Sequence, residues 1–349
     1  MTTKELIQYR LTSQHLAGQH LTDPAKLVQR LGAMQAQDFR MSKWAIGVRI
    51  PVVTVGAIEA ALNEGRIIRT HVLRPTWHLV AAEDLGWMIA LTGPHLKRTL
   101  ASYNRNLGLD EATVATSNKI ISKALEGKNL TRSEIITVLE RKGIHTDPMK
   151  ASQIMFGIEV AGIACSGPTK GKEHTYALTE ERVPSQAVLT KAEALFMLAD
   201  RYFSGHGPAS LKDFQWWSGL PAGEAREGLE SVKSTLHAIL VNTETLYFKE
   251  QQPASVIPEL CMLPAFDEYL VGYKNRDAVL PQVFSRQTIT ANGIFKPVIL
   301  NRGVVIGNWK AEQKKEEIVV HPSFFAPATA RQEKLTRTVA TSYIAFRST

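Results

Sequence analysis

A chain of 349 residues with 44% hydrophobic and 21% charged residues has the balance of an ordinary folded protein and the length for about two to four domains. No apolar run approaches the ~18 residues of a membrane span, the polar start MTTKELIQYRLTSQHL lacks a signal-peptide core, and the two cysteines, Cys165 and Cys261, exclude a disulfide framework or a zinc site built on cysteines. A cytoplasmic protein is expected. The net charge of +8 is unevenly spread: 13 Lys/Arg against 7 Asp/Glu in residues 1–105, 10 against 10 in 106–187, 6 against 9 in 188–259, and 12 against 7 in 260–349. If the two ends meet in space, they form one positive surface suited to a polyanion such as nucleic acid. The alternative is a scattered, soluble basic surface.

The first predicted helices run over 2–16, 24–35 and 55–65. Residues 67–82, IIRTHVLRPTWHLVAA, read as two strands around an Arg74-Pro75 turn, followed by a helical region over 83–105. The clearest unit comes next. A helix over 111–126 is followed by Thr131 and Glu134 at capping-box spacing. The second helix stops at Gly143, and Pro148 introduces a third, over 150–161. Residues 162–178 then read as strand, Gly/Pro/Lys-rich loop and strand. Three helices and a hairpin is the winged-helix order. The pattern recurs as a helix over 191–203, a capping box at Ser210-Leu-Lys-Asp213, a helix through Trp216-Trp217, a helix over 221–232, and strands over 236–241 and 245–248. After Pro258, short β-rich runs (298–300, 304–306, 318–320) alternate with turns such as Asn292-Gly293, and a helix over about 327–346 closes the chain.

The fold class expected is therefore α+β, mainly helical. Three tandem winged-helix domains (1–105, 106–187, 188–257) precede a C-terminal β-barrel-like domain (258–349).

The candidate sites are few. Winged-helix units bind DNA or act as interaction scaffolds, and helix 221–232, with Glu224, Glu227 and Glu230, would repel phosphate and reads as scaffold. The hairpin at 67–82 carries Arg69, His71, Arg74, Thr76 and His78, types suited to a phosphate backbone or minor groove. The alternative is a wing whose Trp77 and Leu79 pack inward while the charges are solvated. Gln35-Ala36-Gln37 lies at the C-terminal end of the second predicted helix, with Asp38, Arg40 and Lys43 beyond it. In a helix two such residues diverge by ~200°; in extended chain they share a side. On residues alone, partners for helix-end backbone groups are the better account. Asp267-Glu268 read as turn or ion-pair residues, with carboxylate catalysis as the alternative. No phosphate-cradling loop, nucleophile elbow or metal-spaced cluster is present.

Four stretches together resemble a known family: GAMQAQDFRMSKWAIGVR (32–49), HVLRPTWHLVAAEDLGWM (71–88), CMLPAFDEYLVGYKNR (261–276) and NGIFKPVILNRGVVIGNWK (292–310). They are similar, in the same order, to the bacterial winged-helix DNA glycosylases of the AlkZ/YcaQ-like superfamily, which act on bulky N-alkylated bases and interstrand crosslinks. The resemblance implies three winged-helix domains and a β-barrel in a C shape around duplex DNA, no cofactor, and a monomer.

It also implies that Gln35 and Gln37 are the catalytic signature, glutamine–apolar–glutamine. Asp38 is a supporting residue, and residues 67–80 form a DNA-probing hairpin. Contacts to DNA are expected from Arg40, Lys43, Arg69, His71, Arg74, Thr76 and His78. Alkylation at a purine ring nitrogen makes the base a good leaving group, so amide oxygens that hold water and stabilise an oxocarbenium-like sugar suffice. No lysine beside the signature offers a Schiff base, so hydrolysis without strand cleavage is expected. A non-catalytic winged-helix DNA-binding or regulatory protein is the alternative, and a protein-interaction scaffold is a third.

Overall fold

The computed structural model describes residues 1–19, 21–185, 188–315 and 317–348. It is a mixed helix and strand fold that divides into two compact units, Met1–Glu59 with Phe196–Thr349, and Ala60–Leu195. The Gln35–Gln37 segment lies in the first unit and the 67–82 hairpin in the second, although both fall within the sequence segment 1–105. Residue 187, one side of a sequence boundary, lies outside the described residues.

In the first unit the two chain ends share a core. Ile7 and Leu11 pack with Leu263, Tyr269, Val298 and Leu300. Around it stand the helices Thr3–Ser13, Pro24–Leu31 and Phe39–Gly47. Trp44 and Trp309 tie two of the elements together by donating indole N–H groups to Met262 O and Leu263 O, each at 2.8 Å. The ends thus meet. The positive excess is nevertheless shared: the first unit holds 24 Lys/Arg against 19 Asp/Glu and the second 17 against 14.

Two expectations for this unit change. The second helix ends at Leu31, because Gly32 adopts φ +77° and turns the chain into the strand Ala33–Gln35. A side chain at Gly32 would also press on Trp217 and Arg201, 3.2 Å away, so glycine is required twice over. The C-terminal β-region is no barrel. Leu260–Leu263, Val298–Asn301, Val304–Lys314 and Glu317–Phe324 form an open antiparallel sheet in sequential order. Four strands are too few to close around packed side chains. The helix Ala330–Arg347 packs on this sheet, and its Tyr343 meets Trp44 and Trp309 edge-on.

A buried ion pair lies at the centre of the unit. Arg49 is fully buried and its five N–H groups all have acceptors. These are Gln14 O, Ala45 O and Gln14 Oε1 at 2.9 Å, and both Asp267 carboxylate oxygens at 2.8 Å. Burial pulls the Arg49 guanidinium down, but Asp267 and then Glu268 outweigh it and hold its pKa above the ordinary value. Asp267 also caps the helix Glu268–Val271 by accepting from Tyr269 N.

The second unit contains the hairpin Ile67–His71/Trp77–Ala81 and the long helix Ala82–Asn106. The helices Glu111–Leu125, Arg132–Arg141 and Pro148–Val160 follow, within a residue or two of their sequence positions. The strands Leu130–Thr131, Ala164–Ser166 and Thr175–Leu178 form one sheet with the last strand central. The Thr131/Glu134 capping box is present. Among the described residues no helix is long and apolar enough to cross a membrane.

His78 is an exception to the sequence reading. In the hairpin register it stands opposite Thr70, while Arg69 and His71 stand opposite Leu79 and Trp77. Side chains alternate along a strand, so His78 and Thr70 share the inner face and both are fully buried. His78 is therefore fully buried, where the sequence reading groups it with the outward-facing basic residues of the hairpin.

Two stability predictions follow from these buried charges. Burial, then the charges of Arg74 and His71, push the His78 pKa well below 6.5. The unfolded chain then binds a proton that the folded chain refuses. Stability is full above about pH 6.5 and is lost as pH falls toward the folded value, by up to ~1.4 kcal/mol per pH unit. Urea unfolding at pH 7 and pH 5 should show a shallower loss in His78→Phe than in the wild type; equal slopes would refute the assignment. Asp267→Ala strands Arg49 without its counter-charge and should cost ~3–5 kcal/mol in the same assay. A loss under ~1 kcal/mol would mean that the pair does not hold the unit together.

Candidate active site

The motif is held from behind. Gln35 is 8% exposed, Ala36 is fully buried, and Gln37 is exposed. The small apolar middle residue is thus an anchor, and it leaves the second glutamine at the surface. The main-chain N–H of Gln35 donates to Glu268 Oε1 at 2.7 Å, across 233 residues of chain. That bond fixes the plane of the Met34–Gln35 peptide and with it the direction in which Gln35 leaves the backbone.

Glu268 is itself buried and fully engaged. Its second oxygen accepts from Trp217 Nε1 at 3.0 Å and faces His206 Nε2 at 3.2 Å. Trp217 and His206 are both fully buried. Gln14 Nε2 donates to Glu268 O and to Tyr273 Oη, and Tyr273 Oη donates to His206 O. Gly272 lets the histidine approach, since a Cβ there would lie 2.6 Å from His206 Cδ2. A carboxylate offers an acceptor at each oxygen, so the N–H groups of Gln35 and Trp217, one on each side, suit it better than they would suit an amide.

The polar residues after the motif divide into two kinds. Asp38 caps the helix Phe39–Gly47, its side chain accepting from Met41 N at 3.0 Å. That is a structural task for the residue expected to support catalysis. Arg40 is exposed on the first turn. Lys43 pairs with Glu59, and its ammonium lies 4.7 Å from the centre of the Phe39 ring.

In the second unit the hairpin has its own buried carboxylate. Glu159, on the helix Pro148–Val160, accepts from His71 N at 3.1 Å and lies 2.6 Å from His71 Nδ1. The His71 ring also packs against Trp77 and Phe156, with centres 4.0 and 4.4 Å apart. The Arg69 guanidinium lies 4.0 Å from the centre of the Trp77 ring. Burial pushes the Glu159 carboxyl up, against the hydrogen bond and charge of His71. Arg69, His71, Arg74 and Thr76 are all partly exposed. The hairpin thus presents cations and a braced histidine while His78 faces inward.

Sequence reasoning passed over the residues that brace both segments. The sequence reads Asp267-Glu268 as turn or ion-pair residues, and Asp267 does pair with Arg49, but nothing in the sequence links Glu268 to Gln35. Glu159 is absent from the sequence reading, although it is the one charged residue in the apolar run IMFGIEV, a signal that could have found it. Arg49, His206 and Trp217 carried none. Among the described residues no group of three or more His, Cys, Asp or Glu side chains is placed to hold a metal ion.

Comparison with known proteins agrees with this architecture. Over 99% of this chain and 96% of the other, the fold is similar to that of a solved structure, the Streptomyces sahachiroi DNA glycosylase AlkZ, at 20% sequence identity and a TM-score of 0.81. No curated protein matches the sequence. The family described as DNA glycosylase AlkZ-like matches residues 28–346, a span that holds Gln35, Glu268 and the hairpin, and the chain belongs to that family.

Proposed function

We propose that this protein is a monofunctional DNA glycosylase that hydrolyses the N-glycosidic bond of N-alkylated purines in duplex DNA, bulky adducts and interstrand crosslinks included. The observation that carries the reading is the anchoring of the motif. Two non-titrating glutamines flank a fully buried alanine, on a main chain tied at Gln35 to a buried carboxylate. A cationic alkylated base leaves with the C1′–N electron pair and becomes neutral. Water adds its oxygen to C1′ and releases its proton to solvent. The amide oxygens of Gln35 and Gln37 hold that water and stabilise the positive sugar, and neither amide changes protonation.

The rest of the chain serves as a platform for DNA. The helix-and-hairpin segments are read as winged-helix units of a monomer, and the 67–82 hairpin is read as a phosphate-gripping element. Because no lysine neighbours the motif in sequence, the product is an abasic site in an unbroken strand. A motif whose second glutamine is exposed suits lesions too large to flip.

Duplex DNA bearing N7-methylguanine tests the reading. The wild type should release the base and leave heat-labile abasic sites. Gln35→Ala and Gln37→Ala should each slow single-turnover release by ~100-fold or more while still binding duplex. Absence of base release from any alkylated duplex, with binding intact, would favour a non-catalytic DNA-binding protein. Asp38 separates capping from catalysis. Asn caps a helix as well as Asp, so Asp38→Asn should keep the rate within about threefold. A collapse of its rate with the melting temperature unchanged would instead make Asp38 the base.

A further inference from the structure

We infer that Glu268 is a positioning residue for the glycosylase reaction, setting the main chain of the catalytic glutamines from within the core; the inference rests on the reading just given. Glu268 touches no substrate, because both of its oxygens are taken. Oε1 accepts from Gln35 N at 2.7 Å, and Oε2 faces Trp217 Nε1 at 3.0 Å and His206 Nε2 at 3.2 Å. It is 1% exposed, which rules it out as the base that activates water.

Its position is over-determined. Asp267, the preceding residue, is locked to Arg49 through both oxygens. The Glu268 carbonyl receives Gln14 Nε2, and its helix is capped by Asp267. The carboxylate is therefore a fixed point, and Gln35 is the segment it aims.

Two physical effects act through this one bond. The first is geometric. The donor belongs to the Met34–Gln35 peptide, so losing the acceptor removes one tie on that plane and takes the carboxylate partner from a buried N–H. A displacement on the order of 1 Å at a catalytic group can cost ~100-fold in rate. The second is electrostatic. A carboxylate hydrogen-bonded to the motif's own backbone places negative charge behind a site where the sugar becomes positive, in surroundings where water does not screen it. Glu268→Gln keeps an oxygen that can accept from Gln35 N while the charge is gone, at the cost of setting its amide N–H2 against Trp217 Nε1.

Three proteins decide the matter: wild type, Glu268→Gln and Glu268→Ala. Each is assayed for single-turnover base release, duplex affinity, and the amide resonance of Gln35 in an NMR spectrum of isotope-labelled protein. Glu268→Ala should lose at least ~100-fold in rate with duplex affinity within about threefold. Glu268→Gln should recover part of that loss. The Gln35 amide proton, far downfield in the wild type because of its short charge-assisted bond, should move upfield in both variants and furthest in Glu268→Ala.

An unchanged rate in Glu268→Ala, or a Gln35 resonance that does not move, overturns the inference. If Glu268→Ala does not fold, Glu268→Gln decides alone by the same two readouts. If the wild type itself releases no base, the glycosylase reading fails, and the Gln35 resonance then decides whether Glu268 sets the motif.

Discussion

A buried carboxylate pair, Asp267-Glu268, is the constraint on which the first unit depends. Two adjacent acids in a core are expensive unless every lone pair finds a donor. Here Asp267 receives Arg49 twice and Tyr269 N, and Glu268 faces Gln35 N, Trp217 Nε1 and His206 Nε2. Apart from the neighbouring Tyr269, these partners come from two stretches far from the pair in sequence, residues 35–49 and 206–217. The acids therefore select one arrangement of those regions and reject near alternatives. An apolar core would hold the same pieces together with less control over where Gln35 lies.

What was legible in the sequence is what local physics decides. Capping boxes at Thr131/Glu134 and Ser210/Asp213, the helix start at Pro24 and the Gly143 stop all stand where residue type and spacing put them. Each is an interaction over three or four residues, and propensity alone carries it. Gly32 was legible only in part. A glycine after an apolar run marks a helix end, but its need to avoid Trp217 depends on a contact 185 positions away. The bond from Gln35 to Glu268 and the pair of Arg49 with Asp267 lie beyond any periodicity, since nothing in residue type says which distant acid meets which donor. The glutamine motif itself was visible through resemblance and not through physics. A residue that does not titrate leaves no mark of chemistry in a single sequence.

The inward turn of His78 has the same origin. Alternation on a strand is local, but which face is inner is set by what covers it. The register places Arg69 and His71 on one face and His78 on the other. A list of basic residues on a hairpin merges the two faces, and only the pairing of strands separates them.

The two units solve one problem in the same way. Each has a segment read as functional whose backbone N–H is captured by a fully or nearly fully buried glutamate: Gln35 by Glu268 and His71 by Glu159. In each the glutamate also faces a histidine ring nitrogen, His206 Nε2 in one and His71 Nδ1 in the other. A neutral side chain would hold the backbone more weakly, because a bond to an ionised acceptor is about twice as strong. It would also cost less to bury. Accepting the larger desolvation cost makes sense where small displacements matter more than total stability, as the roles proposed for the two segments would require. Glu159 carries that cost openly: burial lifts its pKa despite the histidine beside it. The same arrangement, a buried acid accepted at a desolvation cost and a main chain fixed by it, thus recurs in both units.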